Sequence, residues 1–432
     1  MLTAPAFTLL FLIALCASLG VRLWLARRQI AHVTAHRDAV PTAFAERIAL
    51  PAHRKAADYT AAKQRLFALN TLADAVLLLL MTLGGGIGFI IAWTETIAIS
   101  PFLRDVLMFV VTTLIAGVVS LPFSWRHTFR IEERFGFNRM TQRLWLADLA
   151  KAIALGVALG LPLLMLVLWL MATTGTWWWI WVWAAWMAFQ LLLLVAYPTL
   201  IAPLFNKFSP LAAGAARDRI EGLLSRCGFT SAGLFVMDGS KRSGHGNAYF
   251  TGFGRAKRIV FFDTLIARLA PEEIEAVLAH ELGHFKLKHV AKRIAWSAVI
   301  TLGVLALLAY FAREPWFYAG LGIPEALLPT AMARPGVALQ LFLLALPVFT
   351  FVLEPLGSLY SRKHEFEADA FATRYADAFA LVRALVKLYE DNAATLTPDP
   401  LHSAYHDSHP PAAVRIARIE SLAGPLPIPA AV

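Results

Sequence analysis

Pro271–Phe285 reads PEEIEAVLAHELGHF. Ile274, Val277, Leu278, Leu282 and Phe285 fall on one stripe of a 3.6-residue period, Pro271 suits a first helical position, and Glu272 and Glu273 suit the positive end of a helix. The segment is therefore predicted to be helical. On a helix His280 and His284, four residues apart, project from one face, so both imidazoles can reach a single Zn²⁺. Glu281 lies beside that face, where its carboxylate can take a proton from water. The plain alternative is a pair of surface histidines on an ordinary helix, and the rest of the chain has to decide between the two.

Composition puts the chain in a membrane. With 58% hydrophobic and 16% charged residues and a mean hydropathy of +0.61, the 432 residues are too apolar for an ordinary soluble protein. Apolar runs long enough to cross a bilayer occur at about 5–25, 67–93, 102–123, 152–172, 177–202, 294–312 and 337–357. The fifth opens with Trp177, Trp178, Trp179, Trp181 and Trp183, as an interfacial aromatic belt does. No Lys or Arg precedes the first run, whereas Arg22, Arg27 and Arg28 follow it, which suits an uncleaved anchor with its N-terminus outside.

The net charge of +10 is concentrated in two loops. Between the first two spans lie nine basic residues from Arg22 to Arg65, and between the third and fourth lie Arg126, Arg130, Arg134, Arg139, Arg143 and Lys151. Both loops are expected on the cytoplasmic side, and this topology accounts for the basic pI without nucleic-acid binding. Counting crossings then puts 203–293, with the HExxH, and 358–432 on that same side. The only cysteines are Cys16, inside a span, and Cys227, which leaves neither a disulfide framework nor a cysteine metal site. Arg outnumbers Lys by 28 to 11, a bias of GC-rich bacterial genomes, and in such a cell the chain would sit in the inner membrane.

A zinc site with two histidines needs a third ligand, and a carboxylate leaves the fourth position open to water. Ser361–Ala372 reads as a helix on which Glu365 and Asp369 share a face. Glu365 is the preferred ligand, with Asp369 placed to orient a liganding imidazole. Glu367 competes, but lies about 200° around the helix from Glu365, away from Asp369. Ala368 and Ala372 would let another element approach closely.

Together these residues resemble the type I CAAX prenyl protease family of integral-membrane zinc metallopeptidases. The resemblance runs from about residue 130 onward, through Arg130-Ile-Glu-Glu-Arg-Phe-Gly-Phe-Asn138, Ile201–Phe208, Gly239–Ser243 leading into Gly246–Phe250, the HELGH, Ser361–Ala372 and His409-Pro410-Pro411. It implies helices enclosing a chamber large enough for peptide and lipid, and a substrate cleaved after a prenylated cysteine. It also implies peptide binding by Asn247, oxyanion stabilisation by His409 and a substrate-binding role for Arg415. Without it, His409 before two prolines would be a turn residue. Asn247-Ala-Tyr-Phe-Thr251 and Arg258–Phe262 read as a β-hairpin whose edge could add a substrate strand. His245, His289, His364, His402 and His406 read as structural or solvated.

The expected fold is mainly α and polytopic. About seven transmembrane helices carry a cytoplasm-facing zinc-peptidase subdomain with a small β-hairpin. The expected division is 1–202 with five spans, 203–293 with the HExxH, 294–357 with two further spans, and 358–432 with Glu365 and the His-Pro-Pro motif. The expected function is a metalloendopeptidase holding one Zn²⁺ per chain on His280, His284 and Glu365, with Glu281 as general base and acid, acting on peptide or protein substrates among membrane lipids. A quality-control protease acting without prenyl substrates, and a zinc-stabilised transporter or scaffold, are the alternatives. The scaffold would have no use for Glu281.

Overall fold

The computed structural model describes residues 2–229, 233–251 and 258–423. The turn 252–257 of the expected hairpin lies outside them. Among the described residues seven helices are long and apolar enough to cross a bilayer: Ala4–Ala35, Leu50–Met81, Pro101–Glu132, Gln142–Thr173, Gly175–Phe205, His289–Phe311 and Pro335–Tyr375. Val118, Leu200 and Val299 on three of them are 71%, 67% and 63% exposed, a display of branched aliphatics that only lipid makes favourable. The chain is an integral, multi-pass membrane protein.

The expected run 67–93 does not continue as one helix. It stops at Met81, turns through Thr82–Gly85, and resumes as the short helix Gly86–Glu95. The glycines explain the break: Gly85 adopts φ +80°, and a Cβ on Gly84 would come 2.8 Å from the Leu80 Cα. Three of the spans contain widened, π-type turns, at His127–Glu132, Gly156–Gly160 and Tyr197–Ile201. Pro198 lies inside the last, where its missing N–H cannot close an α-helical bond.

Among the described residues two large apolar cores form beside two small clusters. One large core lies between membrane-spanning helices and the short helices Gly86–Glu95 and Pro315–Gly320, and centres on Phe11, Ile87, Met108, Leu168, Tyr318 and Val337. The other gathers Ile220, Phe261, Leu278, Leu282, Leu381 and Ile416 around the helix Pro271–Lys286. Phe44, from the loop between the first two spans, is fully buried in this second core, so the N-terminal part of the chain helps to complete it.

The β structure exceeds the expected hairpin. Four strands, β1 (Phe208–Pro210), β2 (Gly233–Met237), β3 (Ala248–Thr251) and β4 (Arg258–Phe262), pair in the order β1-β2-β4-β3. β3 runs antiparallel to β4 with Tyr249 opposite Val260, while β2 is parallel to β4 with Phe235 opposite Val260. β1 is three residues long and ends in proline, and β2 is a short apolar run without alternation, so neither announces itself in the sequence. β3 is an edge strand.

Candidate active site

The helix Pro271–Lys286 starts where its sequence directs. Pro271 stands at its beginning, and Glu273 Oε2 reaches back to accept the Ala270 N–H at 2.8 Å. Its apolar stripe enters the second core, which holds the helix at a fixed rotation with His280 and Glu281 toward a cavity of about 510 Å³. Glu354–Tyr375 packs across it. The crossing is close because Gly283 meets Ala368, which is fully buried, as is Ala372 one turn on.

This crossing brings His280, His284 and Glu365 together. The two Nε2 atoms approach to 3.2 Å, and the Glu365 oxygens lie 3.4 Å from His280 Nε2 and 3.3 Å from His284 Nε2. A tetrahedral zinc with arms of about 2.0–2.2 Å needs ligand atoms about 3.3–3.6 Å apart, so the spacing fits such an ion. Glu365 is buried, and among the described residues its Oε2 accepts no well-formed hydrogen bond, facing His280 Nε2 at 3.4 Å and Arg415 Nη1 at 3.7 Å, an oxygen that a metal cation would satisfy.

Asp369 fixes His280. Its Oδ1 accepts the His280 Nδ1–H at 2.8 Å, which leaves the Nε2 lone pair facing His284 and Glu365. Arg415 in turn donates to Asp369 through Nε at 2.7 Å and Nη2 at 2.7 Å, so a buried bidentate pair holds the aspartate. Burial and the Arg415 charge push the His280 imidazole down, but the hydrogen bond to Asp369 and the facing Glu365 carboxylate outweigh them and hold it at about 9. The pocket therefore favours a positive charge at this point, on a proton or on a metal.

Glu281 lines the same cavity. Burial raises its carboxyl above the usual carboxylate range, against the pull of His280 and His284, and among the described residues it makes no side-chain hydrogen bond. It is a base without a protein partner, beside the atoms that could hold a metal. His409 also lines the cavity, its side chain 62% exposed and its Nε2 3.6 Å from Glu365 Oε1. Asn247 stands exposed at the start of the edge strand; its Oδ1 accepts from Ala248 N at 2.8 Å and its backbone carbonyl from Phe262 N at 2.9 Å. Arg415 borders the cavity but is buried; its guanidinium donates to Asp369 and also lies 3.0 Å from His280 Nδ1 and 3.7 Å from Glu365 Oε2.

Several residues in and around the cavity were not legible beforehand. His245, read from the sequence as structural or solvated, lines it and meets Glu132 Oε2 through Nε2 at 3.2 Å and Asn392 Oδ1 through Nδ1 at 3.1 Å. Tyr59 donates to the other Glu132 oxygen, and Asn392 Oδ1 accepts the Gly246 N–H at 3.1 Å. This network locks the segment leading into Asn247. Glu132 was visible inside Arg130–Asn138; nothing in sequence ties Tyr59 to it. Glu367 points away from the converging atoms, to His289. His402 and His406 lie on the helix Pro400–His406, outside the residues lining the cavity.

Residues 29–207 match the family described as CAAX prenyl protease N-terminal, five membrane helices, and residues 210–423 match peptidase family M48. The chain is 36% identical over 315 residues to CAAX prenyl protease 1 of Saccharomyces cerevisiae, covering 71% of this chain and 70% of that protein. It is 41% identical over 312 residues to the CAAX prenyl protease 1 homolog of Arabidopsis thaliana, covering 70% of each. The crystal structure of S. mikatae Ste24p superposes with a TM-score of 0.88 at 30% identity, covering 96% of this chain and 99% of that one. A metal-ready constellation of two histidines and a glutamate, a free carboxylate beside it, and matches across both halves of the chain make this protein a member of peptidase family M48, an integral-membrane metalloprotease of the CAAX prenyl protease type.

Proposed function

We propose that the chain is a zinc endopeptidase that hydrolyses a bond near the C-terminus of prenylated proteins. One zinc per chain would be held by His280, His284 and Glu365. The observation that carries the reading is the 3.2–3.4 Å convergence of these side chains in a cavity shared with Glu281, His409 and Asn247. Zinc, when bound, supplies Lewis-acid polarisation of the scissile carbonyl and of the attacking water.

The protein's own groups do the rest. Glu281 takes the proton of the attacking water and returns it to the leaving amine, a role suited to a carboxylate whose burial raises its basicity. The edge strand β3 pairs with the extended peptide, and Asn247 adds a side-chain contact at its start. His409, open to the cavity, donates to the oxyanion as it develops. Asp369 and Arg415 keep His280 in the tautomer that leaves Nε2 free. No covalent intermediate with the enzyme arises.

The arginine-rich loops support a site on the cytoplasmic side, with residues 1–202 and 294–357 as the membrane portions and 203–293 and 358–432 as the catalytic ones. The deciding experiment compares turnover of a farnesylated C-terminal peptide with that of the same peptide unmodified. Each buried methylene of the lipid contributes about 0.8 kcal/mol, so a membrane site that receives it should prefer the lipidated form by orders of magnitude in kcat/KM. Equal cleavage of the two would remove the prenyl substrate and leave a general membrane-protein protease.

A further inference from the structure

His289 opens the helix His289–Phe311, five residues beyond His284, after a sharp turn in which Lys288 takes the left-handed conformation with φ 58°. The turn swings His289 back against the HExxH helix, where it is buried. Its Nδ1 lies 2.9 Å from His284 Nδ1, and its Nε2 lies 3.0 Å from Glu367 Oε2.

Proton counting along this row leaves one arrangement compatible with metal binding. If His284 offers its Nε2 lone pair to the ion, its proton must sit on Nδ1. That proton needs an acceptor, and His289 Nδ1 is the atom within reach. His289 then carries its own proton on Nε2, where the Glu367 carboxylate, an acceptor only, receives it. We propose that His289 and Glu367 are positioning residues, a two-member hydrogen-bond relay that fixes the tautomer and ring orientation of His284 and so sets the metal affinity of the site. The relay is the counterpart, on the second histidine, of Asp369 on the first, and it rests on the assignment of His284 as a ligand.

His289, His364 and Glu367 also come close enough to suggest a second ion, and the ring geometry argues against one. The His289 and His364 rings stack with centroids 3.9 Å apart and planes within 6° of parallel. Imidazole lone pairs lie in the ring plane. An ion midway would sit nearly half of 3.9 Å out of both planes, close to the whole length of a zinc–nitrogen bond of about 2.0 Å. The buried His364 Nδ1, which has no hydrogen-bond partner among the described residues, is a feature an ion would explain. In the relay reading His364 is a wall that holds the plane of His289.

The test uses the full-length protein in detergent, with zinc content measured and zinc challenged by chelators of graded affinity. His289→Phe keeps a flat ring against His364 but removes both nitrogens, and it should retain zinc about 10–100-fold more weakly than wild type. Glu367→Ala, at a side chain one-third exposed and so tolerant of change, should weaken retention as well. Glu367→Gln, whose carbonyl still accepts from Nε2–H, should recover most of it. His284→Ala should lose zinc outright. Wild-type retention in His289→Phe and Glu367→Ala beside loss in His284→Ala would overturn the relay while sparing the zinc site. Zinc retained in His284→Ala would overturn the ligand assignment itself. Two zinc ions per wild-type chain, falling to one in His289→Phe, would replace the relay with a second metal site.

Discussion

Gly283 and Ala368 touch across the crossing of two helices so closely that a Cβ on the glycine would lie 3.0 Å from the Ala368 Cα and 3.1 Å from its carbonyl oxygen. Both obstacles are backbone, so neither can rotate aside. The glycine between the two histidines of the HExxH is thus what lets Glu365 reach them. Gly283→Ala is expected to push the helices apart by a few tenths of an ångström, costing about 1–3 kcal/mol as an overpacked contact, and to weaken metal retention. Calorimetry and chelator competition read the two effects; wild-type values in both would show that the crossing can relax.

Removal of His280, His284 or Glu365 one at a time by alanine should each reduce bound zinc, since each takes away a proposed ligand. Glu281→Gln should keep a full complement of metal and lose turnover by orders of magnitude, because the amide cannot take a proton from water. Elemental analysis beside activity separates the two classes. The choice between neighbouring glutamates is exposed to the same assay: zinc kept in Glu365→Ala and lost in Glu367→Ala would reverse it.

Asn247→Ala and His409→Ala should purify folded with full zinc, because neither side chain is among the converging atoms. Both should lose about 10²-fold in kcat on a lipidated peptide, the scale of deleting one oxyanion-hole donor. Single-turnover kinetics on saturating peptide isolate that step. Unchanged kcat in both would exclude them from the reaction.

Reporters fused after Arg65, Lys207 and Val432 should all report cytoplasm, and one after Gly175 the opposite face. Different compartments for Lys207 and Val432 would contradict the return of the chain through its last two spans.

The HExxH helix was legible because its period, its N-terminal proline and its acidic first turn all agree, and the seven spans because an apolar run of that length has few other uses. Glu365 could be preferred to Glu367 from helical angle alone, since Asp369 marks the face. Tyr59, Glu132 and Asn392 could not be assembled, because their partner His245 lies 113 to 186 residues away in sequence from the first two and 147 from the third. His289 is hidden in the sequence for a related reason: its contact with His284 depends on the left-handed Lys288, a conformation that a lysine does not advertise. The sheet was underestimated because β2 gains its order by lying beside β4 rather than from its own pattern.

Glu365 rides on the helix Glu354–Tyr375, which joins the apolar helix Pro335–Thr350 through a 3₁₀ turn at Phe351–Leu353, so that its 41-residue span is broken near the middle. His280 and His284 are joined through one tight turn to a different and much shorter span of 23 residues. A thicker or thinner bilayer tilts a long span with a break in it and a short continuous one by different amounts. Such a difference reaches the metal ligands as shear, making the catalytic centre mechanically answerable to its membrane. Turnover measured in vesicles of short, intermediate and long acyl chains should pass through a maximum, and a flat response would mean that the Gly283–Ala368 crossing absorbs the strain before it arrives.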